Sequence, residues 1–382
     1  MTPTPHRSNN FDLIRLLAAL QVVLSHAVGH TGLIQRLPDW GKSFFEYLTW
    51  LPGVPVFFVI SGFLIARSYE NSRHDPAGYF WRRVLRIYPA LWVCLGVTVA
   101  VLGAFGFLSG DFVRSTTFPV WLAGQATFVQ FFNPGQFRDF GIGVANGALW
   151  SITVELQFYV FVPLLYAFLF RSRSALTKAG AFVFGSMMAA SFVLWCMMDL
   201  KITGPGGYSD APVVWKLMFV TLAPHLWMFC LGILAHRHFE VVGRWLEGTF
   251  IHWLSAYVLF MWLREIAFDP RSAWFYAGYF PSRVLLALVT LSAAYSARTL
   301  SGKLLRGQDI SYGVYIYHSI VINIFVELGR LNGMTDVLWI GLISLTLAWV
   351  SWMVVEKPAL ACKSASPVLW WRRFRSRPEA SS

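Results

Sequence analysis

The chain opens with an apolar run, NFDLIRLLAALQVVLSHAVGHT at residues 10–31, which carries Asp12, Arg15 and His26. The run is long enough to cross a membrane. An ionisable side chain inside a bilayer costs about 2.5–3.5 kcal/mol on insertion scales, so such a residue is a functional candidate by default. Eleven residues at about 100° each bring Arg15 and His26 to one helix face, about 16 Å apart along the axis. The run therefore predicts a membrane-spanning helix with a polar, functional face.

The composition of the whole chain agrees with a membrane protein. Of the 382 residues, 56% are hydrophobic and 13% are charged, and the mean hydropathy is +0.54. A soluble domain has about 25% charged residues. The four cysteines lack paired spacing, so we expect neither a disulfide framework nor a metal site. The predicted fold is all-α, a polytopic integral membrane helical bundle.

Ten apolar runs have the length of a membrane span. They are residues 12–34, 44–67, 88–108, 149–170, 179–199, 214–235, 245–263, 282–300, 310–329 and 336–355. With the N-terminus inside, twenty of the 31 Lys and Arg residues fall in cytoplasmic segments and nine outside. This asymmetry, rather than nucleic-acid binding, explains the net charge of +12. About ten transmembrane helices with both termini cytoplasmic are predicted.

The remaining segments add little independent structure. Residues 118–133 are apolar but short and contain Gln125 and Gln130, which predicts a re-entrant or interfacial piece of an outer loop. Residues 1–356 are predicted to form the transmembrane domain, and residues 357–382 a basic cytoplasmic tail. We expect no cleavable signal peptide, because the first apolar run is long and contains Arg15.

An arginine cluster stands at the predicted cytoplasmic mouth of the third span. In YFWRRVLRIYPALW, residues 79–92, Arg82, Arg83 and Arg86 occupy three of five positions. Guanidinium groups bind phosphate oxygens in a bidentate manner, so the cluster is suited to a phosphorylated ligand. Anchoring of the helix by positive charges on the cytoplasmic side is the competing explanation.

Two further polar residues lie inside apolar runs. Glu155, in LWSITVELQFY (149–159), is predicted at a depth similar to that of His26, where a histidine or arginine would be its partner. A structural Glu–Arg pair is the alternative. Ser61, in PGVPVFFVISGFLIARS (52–68), lies among small residues that admit a neighbouring helix or a ligand.

The ninth run places two tyrosines and a histidine on one helix face. In SYGVYIYHSIVIN, residues 311–323, Tyr312, Tyr315 and His318 follow each other at intervals of three. A hydrogen-bonded structural histidine and a catalytic one are equally compatible with this pattern. His225, beside Pro224, has a weaker claim.

Taken in order, these motifs resemble the membrane acyltransferase-3 family, the bacterial acyl-CoA-dependent O-acyltransferases of surface polysaccharides. The matching positions are Asp12-x-x-Arg15-x-x-Ala18, His26, Val56-Phe57-Phe58-Val59-Ile60-Ser61-Gly62, Arg82-Arg83-x-x-Arg86-Ile87-x-Pro89-x-x-Trp92, Leu149-Trp150-Ser151-x-x-x-Glu155-x-x-Phe158-Tyr159, Ser311-Tyr312-x-x-Tyr315-x-x-His318 and Glu356-Lys357-Pro358. The resemblance implies ten transmembrane helices, a cytosolic acyl donor and an essential histidine at His26. Some members carry an additional SGNH-hydrolase-like domain; here we expect the membrane domain to complete the transfer, with an unlinked extracytoplasmic partner protein as an open option.

This resemblance predicts an O-acyltransferase of the bacterial inner membrane. We expect His26 to act as general base, because histidine is the side chain best suited to take a hydroxyl proton at neutral pH. Glu155 would orient the imidazole, and Arg15 would bind the donor or stabilise charge on the thioester oxygen. Arg82, Arg83 and Arg86 would hold the phosphates of coenzyme A. Substrate-binding or structural roles are expected for Asp12, Ser61, Trp150, Tyr312, Tyr315 and His318.

The substrates are predicted only by class. Acetyl-CoA is the expected donor, with another short acyl-CoA as an alternative and no metal. The acceptor is a hydroxyl of a surface or exported glycan, or of its lipid-linked precursor. Direct transfer and a covalent acyl-enzyme both remain open. A transporter or flippase of a lipid-linked saccharide is the alternative function, although the sequence shows no inverted-repeat signature.

Overall fold

The structure, a computed structural model, describes residues 9–170, 177–202, 210–269 and 272–364. Across these ranges the chain is helical and contains no β-strand. Seven helical segments there have the length and hydropathy of membrane spans: Phe11–Gly29, Asp39–Glu70, Pro76–Ala104, Gly147–Phe168, Lys178–Ile202, Trp274–Tyr295 and Met334–Ala361. The predicted all-α membrane bundle is thereby confirmed. The count of ten spans and the cytoplasmic location of both termini stay predictions, because residues 1–8 and 365–382 lie outside the described ranges.

The helices follow each other with short connections. They are α1 (Phe11–Gly29), α2 (Asp39–Thr49), α3 (Gly53–Glu70), α4 (Pro76–Ala104), α5 (Gly110–Arg114), α6 (Thr117–Ala126), α7 (Trp150–Phe168), α8 (Lys178–Ile202), α9 (Val213–Phe219), α10 (Leu226–Arg237), α11 (Phe239–Leu246), α12 (Phe250–Ala267), α13 (Ala273–Ala277), α14 (Tyr279–Tyr295), α15 (Leu300–Leu305), α16 (Ser311–Glu327), α17 (Met334–Ser351) and α18 (Lys357–Ala361). A π-helical turn, Trp352–Glu356, joins α17 to α18.

Each predicted apolar run contains helix, but the boundaries differ at several places, three of which affect the site or the bundle. The run at 44–67 divides into α2 and α3. The run at 214–235 is broken into α9 and α10, with Pro224 in the break, because proline has no N–H to donate to a continuing helix. Helix α4 begins at Pro76 rather than at residue 88, since the Asp75 side chain caps it by accepting from the Gly78 N–H at 2.8 Å. The arginine cluster, predicted at the mouth of the third span, therefore lies within the helix itself.

Helix α3 lies at the centre of the bundle and packs against α1, α7, α10 and α14. Its crossing with α10 is close because glycines face each other there. A Cβ atom on Gly62 would lie 2.1 Å from the Phe229 carbonyl oxygen, and one on Gly232 would lie 2.2 Å from that of Val59. Small residues of this kind allow two helix backbones to approach closely. Gly62 therefore serves helix packing.

Helix α16 is the most enclosed element. Every residue from Ser311 to Asn323 is buried, and the helix packs against α1, α4 and α17. Its polar side chains have internal partners, as buried polar groups require. Asn323 Nδ2 donates to the Val144 carbonyl at 2.8 Å, and Ser319 Oγ accepts from the Gly147 N–H at 3.0 Å. The predicted span at 310–329 is therefore a helix in the interior of the bundle, with polar side chains that are hydrogen-bonded to its neighbours.

The loop between α4 and α7 packs against α4, and neither of its two helices is long enough to span a membrane. Helix α6 has ten residues, a length of about 15 Å, whereas the hydrocarbon core is about 30 Å thick. Gln125 Nε2 donates to the carbonyls of Gln130 (3.0 Å) and Phe132 (2.8 Å), and Gln130 Oε1 accepts from Thr153 Oγ1 at 2.7 Å. The two glutamines therefore bind the loop to itself and to α7.

The segment after Glu356 begins as structure rather than as a free tail. Helix α18 and a further turn carry the chain to Ser364, and the Trp81 indole donates to the Cys362 carbonyl at 3.4 Å. Residues 365–382 of the predicted basic tail lie outside the described residues, so the tail stays a prediction.

Candidate functional site

A cavity of about 380 Å³ enters the bundle between α1, α3, α4, α7 and α16. We call it the arginine cavity after its charged lining residues: Asp12, Arg15, Arg82, Arg83, Arg86, Glu155, Asp309 and Lys363. Five of these side chains are cationic and three are carboxylates, so the cavity favours an anionic ligand. The fold thereby gathers into one space the predicted Arg15, Glu155 and the whole arginine cluster.

Asp309 organises the mouth of the arginine cavity. Its Oδ2 accepts from Arg86 Nη2 at 2.5 Å and from Arg15 Nη1 at 3.3 Å, while its Oδ1 accepts from Ser311 Oγ at 2.5 Å. Burial opposes ionisation of Asp309, but the two arginines and the hydrogen bonds from Ser311 together lower the pKa of the carboxyl below its usual value. The carboxylate is therefore charged at neutral pH and fixes Arg15 and Arg86 in the wall.

The three arginines of the cluster have different partners. Arg86 is held by Asp309 and also lies 3.9 Å from Glu356 Oε2. Arg82 donates to Ser72 Oγ at 2.5 Å and lies 3.6 Å from Asp75, while Arg83 donates to Ser68 Oγ at 3.2 Å. A hydroxyl partner leaves most of a guanidinium's charge and donors for a ligand. Arg82 and Arg83 are therefore better placed than Arg86 to bind phosphate.

Glu155 lies in the cavity wall, with hydroxyl groups as its partners. Its Oε1 accepts from Ser61 Oγ at 3.2 Å and from Tyr159 OH at 2.6 Å. The sequence predicts that Glu155 orients His26, but the structure gives the two residues different partners. Glu155 accepts from Ser61 of α3, whereas His26 contacts His318 of α16. Tyr159, to which the sequence interpretation gave no role, is the nearest hydrogen-bond partner of this carboxylate.

His26 is paired with His318. His26 Nδ1 lies 3.0 Å from His318 Nε2, and His318 Nδ1 lies 2.6 Å from the Tyr315 carbonyl oxygen. A carbonyl only accepts, so His318 Nδ1 carries the proton and, in the neutral ring, Nε2 carries a lone pair. His26 Nδ1–H then donates to that lone pair. This assignment, made from the hydrogen-bond pattern, leaves Nε2 of His26 as an unprotonated base.

The histidine pair lies directly behind the wall of the arginine cavity. Phe57 and Tyr315 line the cavity, and their ring centroids are 5.5 Å apart. The Tyr315 ring contacts His318 at 5.8 Å, and the His318 ring contacts His26 at 5.1 Å. Tyr315 OH and Ser151 Oγ, 2.6 Å apart, close the cavity on this side. An unbroken series of ring contacts therefore joins the cavity to His26.

The other predicted residues are placed near this site, with different contacts. Asp12 lies 3.8 Å from Arg15 in the cavity wall, and Tyr312 OH donates to the Ile87 carbonyl at 3.1 Å. Trp150 is absent from the cavity lining and packs 4.2 Å from the Phe219 ring, which is a structural contact. Asp309 received no role from the sequence interpretation. The sequence signal for Asp309 was weak: it is a carboxylate two positions before Ser311, and its arginine partners are remote in the chain.

Fold and site together define a polytopic membrane protein with an internal cavity that is rich in cationic side chains and has a histidine pair beside it. A family model described as an acyltransferase domain matches residues 8–355. The chain belongs to this acyltransferase-3 family and is a membrane acyltransferase. The predicted family and enzyme class are thus confirmed; the roles of the individual site residues stay predictions.

Several curated proteins are similar to the chain over most of its length. It is 34% identical to Nodulation protein 10 of Rhizobium leguminosarum bv. viciae, covering 94% of this chain and 95% of the relative. It is 25% identical to an O-acetyl transferase of Shigella phage Sf6, covering 94% and 98%. Peptidoglycan O-acetyltransferase OatA of Listeria monocytogenes is 29% identical over 40% of this chain and 23% of its own length. No solved structure matches the chain.

Proposed function

We propose that the protein transfers an acyl group, with acetyl as the expected group, from coenzyme A to a saccharide hydroxyl, and that His26 is the general base. The names of the relatives from phage Sf6 and Listeria support O-acetyl transfer. The observation that carries the assignment of the base is the hydrogen-bond series from the Tyr315 carbonyl through His318 to His26. It holds His26 in the tautomer whose Nε2 accepts a proton.

In the proposed reaction, His26 first takes up a proton and then releases it. His26 Nε2 takes the proton of the acceptor hydroxyl as its oxygen attacks the thioester carbonyl carbon. The carbon–sulfur bond breaks, coenzyme A leaves as a thiolate, and the imidazolium returns the proton to the sulfur. His318 accepts the Nδ1–H bond of His26 throughout, which places it in the orienting role that the sequence interpretation gave to Glu155. His318 is thus a positioning residue.

The arginine cavity is the proposed donor site. Arg82, Arg83 and Lys363 would bind the phosphates of coenzyme A, because they line the cavity together and Asp309 holds neither Arg82 nor Arg83. Ion-paired Arg15 and Arg86 would shape the wall. The acyl-pantetheine arm would follow the apolar lining, which includes Phe57 and Ile152, toward Tyr315. We place the donor on the cytoplasmic side of the inner membrane, as the excess of cations there predicts.

The direct test is acyl transfer by purified, lipid-reconstituted protein. With acetyl-CoA it should release free thiol, at a rate that rises with a saccharide acceptor. His26→Ala should reduce this activity about 10²–10⁴-fold, the usual contribution of a positioned base. The exposed histidine variant His252→Ala, outside the cavity, is the matched control and should retain activity.

Two outcomes would contradict the proposal. A protein that moves a lipid-linked saccharide across vesicles without releasing thiol would be a transporter. Normal activity of His26→Ala at equal abundance in the membrane would mean that another residue is the base, and His318 would then be the next candidate.

A further inference from the structure

A second cavity lies at the other end of α1 and α16. It has a volume of about 350 Å³, within the range of small-molecule pockets, roughly 300–1,000 Å³. We call it the His30 cavity; His30, Thr31, Arg36, Gly141, Val326 and Asn332 are among its lining residues. Helix α1 contributes Asp12 and Arg15 to the arginine cavity at its first turn, and its C-cap residue, His30, lines the second cavity. The two cavities are therefore separated by about the length of α1, roughly 28 Å.

His26 lies between the two cavities. The His30 ring packs edge-on against the His26 ring with centroids 4.8 Å apart, and His26 in turn contacts His318. Ring contacts therefore run without interruption from Phe57 in the arginine cavity to His30 in the second one. A reactant in either cavity approaches the same imidazole pair, from opposite directions.

The His30 cavity has the polar groups that a saccharide requires. Its wall presents an imidazole (His30), a guanidinium (Arg36) and a side-chain amide (Asn332). Arg36 Nη1 donates to the Leu331 carbonyl at 3.4 Å, which leaves further N–H donors of this exposed side chain directed at solvent. Nearby acidic groups are already bound to backbone N–H groups: Glu327 to Gly141 at 2.6 Å and Asp336 to Asn332 at 2.8 Å. Both carboxylates therefore have hydrogen-bond partners other than Arg36.

We propose that the His30 cavity is the acceptor subsite, in which Arg36 and Asn332 hold a saccharide whose hydroxyl reaches His26 past His30. This inference rests on the proposed function, since it assigns the second substrate of the same reaction. Donor and acceptor enter from opposite ends of α1, and the acyl group alone passes the histidine pair. The Arg36 guanidinium would donate charge-assisted hydrogen bonds to the bound saccharide.

The test uses the native glycan of the source bacterium as the probe. A strain lacking the gene is complemented with each variant, and base-released acyl groups on the purified envelope glycan are measured at matched protein abundance. Arg36→Ala should lower glycan acylation about tenfold, the effect of one charge-assisted hydrogen bond, and Asn332→Ala severalfold. Arg330→Ala, an exposed arginine two positions from Asn332 and outside the cavity lining, should leave acylation unchanged.

A second measurement separates acceptor from donor. Acetyl-CoA affinity of the purified Arg36→Ala and Asn332→Ala variants should stay within twofold of the parent protein, because neither residue lines the arginine cavity. In intact cells, a membrane-impermeant maleimide should label Asn332→Cys, whereas the native exposed Cys362, at the other end, should react only after permeabilisation. Labelling of Asn332→Cys only after permeabilisation would overturn the acceptor assignment.

The two proposals fail in different ways. If His26→Ala abolishes acylation while Arg36→Ala and Asn332→Ala both retain it, the acceptor subsite is wrong and the proposed function stands. If the gene does not restore acyl groups to the glycan at all, or His26→Ala restores them fully, the proposed function itself fails.

Discussion

The ion-pair network around Asp309 and the histidine pair are two polar clusters built in different ways. Around Asp309, full charges compensate each other: the side chains of Arg86 and Asp309 are 18% and 10% exposed, and the two groups lie 2.5 Å apart. The His26–His318 pair needs no full charge, because one N–H and one lone pair satisfy each contact. Removing one member of the charged network leaves an uncompensated buried charge, so the network is suited to holding the cavity wall in place. A neutral imidazole pair can gain and lose a proton, so it is suited to proton transfer.

The largest effect on stability should come from breaking the charged network. Arg86→Ala leaves buried Asp309 with only Arg15 as its cationic partner, and loss of one member of a buried pair costs about 3–5 kcal/mol. We expect a clear decrease in the midpoint of thermal unfolding in detergent. The double variant Arg86→Gln, Asp309→Asn should recover part of it, because no uncompensated charge remains. Equal midpoints for Arg86→Ala and Arg82→Ala would show that Asp309 does not depend on Arg86.

A smaller effect, measured as turnover, should follow from changing the histidine pair. His318→Ala leaves the His26 Nδ1–H without an acceptor, which costs about 1–3 kcal/mol and corresponds to a roughly 5- to 150-fold lower kcat. KM for acetyl-CoA should not change, because His318 does not line the arginine cavity. His318→Gln should restore much of the rate, since its amide can donate to Tyr315 and accept from His26. A rate for His318→Gln as low as for His318→Ala would refute the positioning role.

The smallest effect should distinguish Arg83, a proposed ligand-binding residue, from Arg86, a structural one. Arg83→Ala removes a guanidinium that we place on a donor phosphate, so the KM for acetyl-CoA should rise about tenfold with little change in unfolding. The exposed Arg244→Ala, which does not line the cavity, serves as the control. If Arg83→Ala destabilised the fold as Arg86→Ala does, or left KM unchanged, the contrast between a ligand-binding and a structural arginine would disappear.

Local sequence signals were sufficient to predict the class of fold and most of the polar residues in or beside the arginine cavity. Twenty-residue apolar runs allow little besides membrane helices, and ionisable residues within them are rare enough to be noticed individually. For that reason Arg15, His26, Glu155 and His318 were identifiable from the sequence. The same local signals predicted helix near every apolar run, but they did not reveal the break at Pro224 or the early start of α4 at Pro76.

The contacts between these polar residues depend on the packing of helices that are remote in the chain. His26 and His318 are 292 positions apart, and Arg86 and Asp309 are 223 apart. Helical periodicity fixes the face on which a side chain lies, but not the helix that covers that face. Glu155 therefore seemed as suitable a partner for His26 as any other buried group. The packing of α1 against α16 chose His318 instead, because it brings the two imidazoles within hydrogen-bond distance while Glu155 faces the hydroxyl of Ser61.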